Sequence, residues 1–259
     1  MNAADPLFDI AGRSIIVTGA SGAFGRAAAA TLARRGARLT LVSGDAEGLA
    51  RLAAELGGSC ATLQRRPDTL DDAEAIAAAA VAAHGRIDGL VVASGTNHPA
   101  AIGDMAPDAW QAVMDANVRG PWLLCKAIGA RFTAQGGGGK VVFVSSVRGR
   151  HGTPRGYTAY CTSKAALDGL TRTLATEWGP QRTTVNAIGP TVFRSNLTAW
   201  MFDDDDRGSA SRVHSLPRIP LGRLGEPGDL MGILVYLLAP ASDFCTGQVI
   251  YVDGGYTAG

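Results

Sequence analysis

The chain has 259 residues, 46% of them hydrophobic, and its 24 Lys and Arg stand against 23 Asp and Glu for a net charge of +1. That much apolar material supports one α/β domain over residues 1–259, and a near-neutral balance without a basic block excludes a protein that tracks a nucleic-acid backbone. The scattered Cys60, Cys125, Cys161 and Cys245 read as reduced cytoplasmic thiols without metal-ligand spacing, and the longest apolar runs, 75–83 and 230–239, fall short of the ~20 residues that cross a bilayer, so no metal, membrane or export is expected.

Short β-branched runs then alternate with longer alanine-rich segments. In chain order the pattern predicts strand 14–18, helix 23–35, strand 38–43, helix 46–56, strand 60–65, helix 70–84, strand 89–93, helix 107–134, strand 140–145, helix 157–178, strand 184–188, helix 228–238 and strand 248–252. Such alternation is that of successive βαβ units. It predicts an α/β, doubly wound Rossmann fold: a seven-stranded, mostly parallel sheet with helices on both faces. Gly36 and Gly57 follow the first two helices where a left-handed cap belongs, and the glycines at 136–139 break the chain before the fifth strand. The stretch 198–221 is the least regular, with four aspartates at 203–206, Gly208, three serines and two prolines. A long insertion of this kind predicts a mobile substrate lid at about 196–221, although the aspartates themselves read more simply as a solvated loop.

The first strand runs straight into Gly19-Ala20-Ser21-Gly22-Ala23-Phe24-Gly25 and an alanine-rich helix. Glycines there let the backbone turn sharply and approach a pyrophosphate, and the helix offers free N–H groups and the positive end of its dipole. In isolation a glycine turn is a weak signal; between the first strand and first helix of this alternation it is a strong one. At the end of the second strand, where a dinucleotide-binding domain places an acid for the adenosine ribose, Ser43 stands instead. Asp45 either bends back to the ribose or caps the helix from 46, which leaves NAD and NADP both open.

Tyr160 and Lys164, four apart in a helical segment, emerge one turn apart on one face. A phenol titrates at about 10, and a neighbouring ammonium, helped by the cation of an oxidised nicotinamide, favours the phenolate that takes an alcohol's proton. The spacing is common by chance. It gains weight from Ser145-Ser146 at the carboxyl end of the fifth strand, where open α/β sheets present their ligand-facing residues and a serine hydroxyl can hold a substrate oxygen. Asn117, inside the predicted fourth helix, can offer its carbonyl to a water where that helix is kinked.

Together these residues resemble the short-chain dehydrogenase/reductase family over essentially the whole chain. The likeness includes the turn 18–25, Gly85-Arg86-Ile87-Asp88, Asn117-Val118-Arg119-Gly120, the Tyr160/Lys164 pair and the ending 247–255. It implies Ser146 as the substrate-polarising serine, Tyr160 as acid/base, Lys164 as the residue that binds the nicotinamide ribose and lowers the tyrosine pKa, and Asn117 as holder of a proton-relay water. It implies a cofactor, NAD or NADP, against Gly19, Ser21, Gly22, Ala23, Phe24, Gly25, Ser43, Arg66, Ala93, Gly95, Tyr160, Lys164, Pro190, Val192 and Ser195, and a homotetramer. The sequence also departs from the family. Ala23 takes a glycine's place, and Val92-Ala93-Ser94-Gly95 replaces Asn-Asn-Ala-Gly, removing an amide that ties central strands together. Arg66, with Asp68 two residues on, stands where an Asp touches the adenine, and can stack on the base or meet a 2′-phosphate. Ser195 takes the place of a threonine hydroxyl beside the carboxamide.

Arg148, Arg150, His151 and Arg155 lie between Ser146 and Tyr160, and Arg194 lies at the mouth of the predicted site. Guanidinium forks suit a carboxylate, phosphate or sulfonate; projection into solvent or across a subunit interface is the simpler reading of surface arginines. Trp200 and Met201, beside the lid, are candidates to touch an apolar part of the substrate, while Trp110, Trp122 and Trp178 read as core or interface anchors. His84, His98 and His214 read as loop or helix-end residues. The expected activity is NAD(P)-dependent interconversion of a small secondary alcohol and a ketone. The alternatives are a 3-oxoacyl-thioester reductase and a non-catalytic dinucleotide-binding sensor on the same fold.

Overall fold

Seven strands, β1 (Ser14–Thr18), β2 (Arg38–Ser43), β3 (Ala61–Gln64), β4 (Gly89–Val92), β5 (Lys140–Val144), β6 (Thr184–Pro190) and β7 (Val249–Val252), form one sheet in the order β3-β2-β1-β4-β5-β6-β7. Every pairing is parallel. The structure is a computed structural model that describes residues 5–58, 60–195 and 197–259. Its helices are α1 (Ala23–Arg34), α2 (Ala46–Glu55), α3 (Leu70–His84), α4 (Pro107–Met114), α5 (Gly120–Gln135), α6 (Thr158–Trp178), α7 (Asp206–Ser215) and α8 (Met231–Leu238).

Successive side chains of a strand point to opposite faces, and here both faces are buried. Ile15, Val17, Leu39, Leu41 and Val142 pack with α1, α2 and α8. Ile16, Val42, Leu90, Val141 and Phe143 pack with α3, α5 and α6. Two-sided burial is the reason the strands read as unbroken apolar runs. Thr18 at the end of β1 pairs with Val42 on one side and Val92 on the other, so the chain order reverses at β1 and a crevice opens outside the carboxyl ends of β1 and β4.

Two expectations change. The predicted helix 107–134 is three pieces, α4 and α5 being joined by a π-helical turn, Asp115–Arg119. The predicted lid, whose first residue, 196, lies outside the described residues, is not an irregular loop. It holds a 3-10 turn at Ala199–Phe202, the ten-residue α7 and a second 3-10 turn at Leu216–Arg218. Its aspartates are employed rather than merely solvated: Asp205 Oδ1 accepts the Gly208 N–H at 2.6 Å as the cap of α7, and Asp204 pairs with Arg212 at 3.1 Å. Among the described residues no helix is long and apolar enough to cross a membrane.

Candidate active site

β1 delivers the chain to Gly19 at φ 65°, where an added Cβ would lie 2.6 Å from the Ser94 nitrogen. Only glycine permits that approach. A Cβ on Gly25 would strike the Gly19 carbonyl, so α1 sits directly on the turn. Gly22 caps α1 without a side-chain hydrogen bond and the first turn carries no acid, leaving the positive helix end open to an anion. The departure at 92–95 has a local remedy, since the Thr18 and Ser94 hydroxyls lie 3.2 Å apart and tie β1 to the chain leaving β4.

At the adenosine end the Ser21 and Ser43 hydroxyls are 2.7 Å apart. Asp45 serves as the helix cap, its Oδ1 accepting the Gly48 N–H at 3.0 Å. Arg66 is exposed and lies across Gly44, where an added Cβ would meet the Arg66 Cγ at 3.0 Å. Among the described residues it has no carboxylate partner.

Tyr160 and Lys164 share one face of α6. The Lys164 Nζ stands 5.5 Å from the centre of the Tyr160 ring and donates to the Val144 carbonyl at 2.7 Å. Ser146 Oγ, which pulls the Tyr160 phenol's pKa down, donates to the Pro190 carbonyl at 3.4 Å and accepts the Arg148 N–H at 3.1 Å, whereas Ser145 donates to Asp168 at 2.5 Å. The second serine of the pair therefore faces the phenol. The Asn117 side chain accepts the Thr96 N–H at 2.8 Å and donates to the Thr96 carbonyl and Ser163 Oγ, each at 2.9 Å. Its own carbonyl lacks an α-helical donor because the residue four on is Pro121, a signal present in the sequence.

The expected electrostatics are corrected for the protein alone. Burial is the largest influence on the Tyr160 phenol and pushes it up to about 12, against the downward pull of the Ser146 hydroxyl. Burial likewise brings Lys164 down to about 8, with Asp168 pulling it back up. Both charged forms are disfavoured in a dry site.

A cavity of about 380 Å³ runs from the first turn of α1 to Tyr160. Gly22, Ala23, Phe24, Gly25, Ala93, Gly95, Ser146, Lys164, Pro190, Val192 and Ser195 line it, as do Arg148 and Arg155. Gly19, Ser21, Ser43, Arg66 and Asn117 do not; the first four stand at the nucleotide turn and adenosine end, and Asn117 lies behind Thr96. Arg150 and Arg194 are not among the cavity's lining residues. Arg150 is exposed with its guanidinium 6.0 Å from the Tyr251 ring, and Arg194 pairs with Glu226 at 3.2 Å and covers Phe202. Trp200 lines a neighbouring cavity with Arg155, Tyr157 and Arg207, while Met201 reaches the main one. Sequence reasoning missed Tyr157, Arg218 and Tyr256, and it placed His214 only at a helix end; all four line the main cavity. Tyr157, three before Tyr160, had a helical-spacing signal. Arg218 and Tyr256 had none, because only the fold brings them there.

A family profile described as enoyl-(acyl carrier protein) reductase matches residues 19–257. An uncharacterized oxidoreductase of Mycobacterium tuberculosis (strain H37Rv) is 54% identical over 252 residues, covering 97% of this chain and 93% of that one. The chain belongs to the short-chain dehydrogenase/reductase family. It is an oxidoreductase of that family, acting on CH–OH groups with a nicotinamide dinucleotide. D-threitol dehydrogenase of Mycolicibacterium smegmatis is 34% identical, with 96% of this chain and 95% of that one covered. The crystal structure of a gluconate 5-dehydrogenase from Burkholderia cenocepacia, in complex with NADP and tartrate, superposes with a TM-score of 0.91 at 28% identity over 98% of each chain. The residues present fit such a dinucleotide. An uncapped helix end suits a pyrophosphate, and Gly95, where an added Cβ would stand 3.8 Å from the Lys164 Nζ, keeps the approach to that lysine free of side chain.

Proposed function

We propose that the enzyme interconverts a small secondary alcohol and its ketone, with Tyr160 as the acid/base and NADP as the preferred cofactor. The observation that carries this reading is that Ser146, Tyr160 and, one turn on, Lys164 line one cavity that begins at the α1 N-terminus. When bound, the cofactor takes or gives the hydride. Ser146 holds the substrate oxygen where the phenol can exchange a proton with it. Lys164 would hold the ribose of a bound cofactor, and its charge, 5.5 Å from the Tyr160 ring centre, would favour the phenolate. The Asn117 carbonyl, deprived of its helical donor by Pro121, holds a water that passes the proton outward. The lid excludes bulk water, its Met201 and Ile219 packing with Leu224 against Val147 and Tyr256.

Support for NADP comes from three features: Ser43 in the acid's place, an Asp45 already occupied as a cap, and an uncompensated Arg66 across Gly44. Arg66→Ala is expected to lower kcat/KM with NADP⁺ roughly 10- to 100-fold while sparing NAD⁺; equal losses with both would assign Arg66 to adenine stacking instead. The family likeness supports a homotetramer. The decisive experiment is a cofactor-coupled absorbance screen of alcohols and ketones, run with NAD(H) and NADP(H). On the best substrate Tyr160→Phe should lose roughly 10²- to 10⁴-fold in kcat with cofactor affinity retained. Undiminished turnover would refute the assignment, and no turnover of any substrate would favour the sensor.

A further inference from the structure

Resting on that reading of the reaction, we propose that the substrate carries a carboxylate, held beside Tyr256 by Arg148 and Arg218, so that the enzyme acts on small hydroxy and oxo acids. Among the described residues no Asp or Glu lines the cavity, whereas Lys164, Arg148, Arg155 and Arg218 do. Two of these guanidiniums converge on one ring: Arg148 stands 5.6 Å and Arg218 4.5 Å from the centre of Tyr256. Neither has an ion-pair partner among the described residues. Acids are not scarce nearby, but Glu226, Asp204 and Asp229 pair with Arg194, Arg212 and Arg223. Two cations beside one ring, neither with a counterion, raise the local potential, and a bound anion is favoured there.

A third group points to the same place. Tyr256 is 5% exposed, and its hydroxyl finds no hydrogen-bond partner among the described residues. A buried donor left unpaired is costly, and a carboxylate oxygen between the two guanidiniums would accept it. The planar fork of each arginine matches a carboxylate. Arg148 Nη1 is steadied by the Gly152 carbonyl at 3.0 Å, which leaves its other donors available.

The placement also limits which acid fits. Arg148 follows Ser146 by two residues and its N–H bonds the Ser146 hydroxyl at 3.1 Å, so the carboxylate lies within a few bonds of the reacting carbinol. Arg218 comes from the lid, in the turn Leu216–Arg218, whereas Arg148 comes from the turn after β5. One anion therefore bridges lid and floor, which couples substrate binding to closure.

The test compares hydroxy acids with their neutral and phosphorylated counterparts. Lactate, tartrate, threonate and gluconate are set against propanediol, threitol, glucitol and glucitol 6-phosphate, in turnover with both cofactors. The acids are also titrated calorimetrically into enzyme saturated with NADPH, a dead-end complex that binds without reacting. An acid should outperform its neutral partner, and Arg218→Gln or Tyr256→Phe should weaken that acid roughly 10- to 100-fold for the arginine, less for the tyrosine, while sparing neutral alcohols. Equal or better use of the neutral or phosphorylated partner would overturn the carboxylate assignment and leave the alcohol–ketone reaction standing. So would unchanged acid affinity in both variants. Arg218-dependent binding of an acid without turnover would keep the carboxylate site and overturn the reaction. If no acid binds or reacts, the carboxylate site falls.

Discussion

At Tyr160 and Lys164 burial opposes the charge each needs. A phenol raised to about 12 remains protonated at neutral pH, ready to donate to a ketone oxygen. In the proposed reaction, oxidation of an alcohol requires the phenolate; Ser146 and Arg148 pull the phenol down toward it, while burial brings the neighbouring Lys164 ammonium to about 8. The lysine leaves a signature in stability. Its folded value lies below the ordinary 10.5 of the unfolded chain, so between about 8 and 10.5 unfolding takes up a proton and stability rises with pH. Burial raises Cys60, Cys125, Cys161 and Tyr160 and so pulls stability down over the upper part of the same window, and the lysine is read as a difference: the urea midpoint of the wild type minus that of Lys164→Met should climb across the window, and a constant difference would assign the slope elsewhere. Tyr160, Lys164 and Ser146 were legible because their signals are local, a four-residue helical spacing and a strand end. The Arg194–Glu226 pair was not legible because the two residues are 32 apart. Arg218 and Tyr256 were invisible because their meeting with Arg148 exists only after folding.

Elements show where local preference yields to packing. α7, with the sequence DRGSASRVHS, has no apolar stripe and few strong helix formers. It is held from outside: the Asp205 cap starts it, and Arg212 reaches back to the Met201 and Asp203 carbonyls at 3.0 and 2.6 Å. Gly208 persists there because a Cβ would meet the Asp203 and Trp200 carbonyls. The π-turn at Asp115–Arg119 was missed for a different reason. The apolar pattern continues through it, and only Pro121 marks the lost hydrogen bond. Replacing Pro121 with Ala restores an N–H and should draw the Asn117 carbonyl into the helix. Turnover is expected to fall on the order of tenfold, the low end for a proton-transfer group, with KM and thermal stability maintained and a larger solvent isotope effect. Unchanged kcat and isotope effect would remove the carbonyl from the proton path.

At the scale of the whole molecule, the alternation of strands and helices was enough to foresee the sheet, since burial on both faces writes itself into every strand. It says nothing of what the outer helices do. α5 buries Leu123, Leu124, Ile128 and Phe132 against the sheet yet turns Trp122 outward, 46% exposed. Phe244, between α8 and β7, is fully exposed. Large aromatics left in water forgo roughly 25 cal/mol for each Å² that burial would remove, and a tetramer with two distinct isologous contacts offers a cover for each. The two patches are far apart in the fold order, one on α5 and the other beside the edge strand β7, as two separate interfaces require. Trp122→Glu and Phe244→Asp should each reduce a tetramer to dimers by light scattering, and the double variant should give monomers, all with wild-type circular dichroism. Tetramers that survive both substitutions would place the subunit contacts on other faces, and a wild type that is monomeric at micromolar concentration would end the assignment.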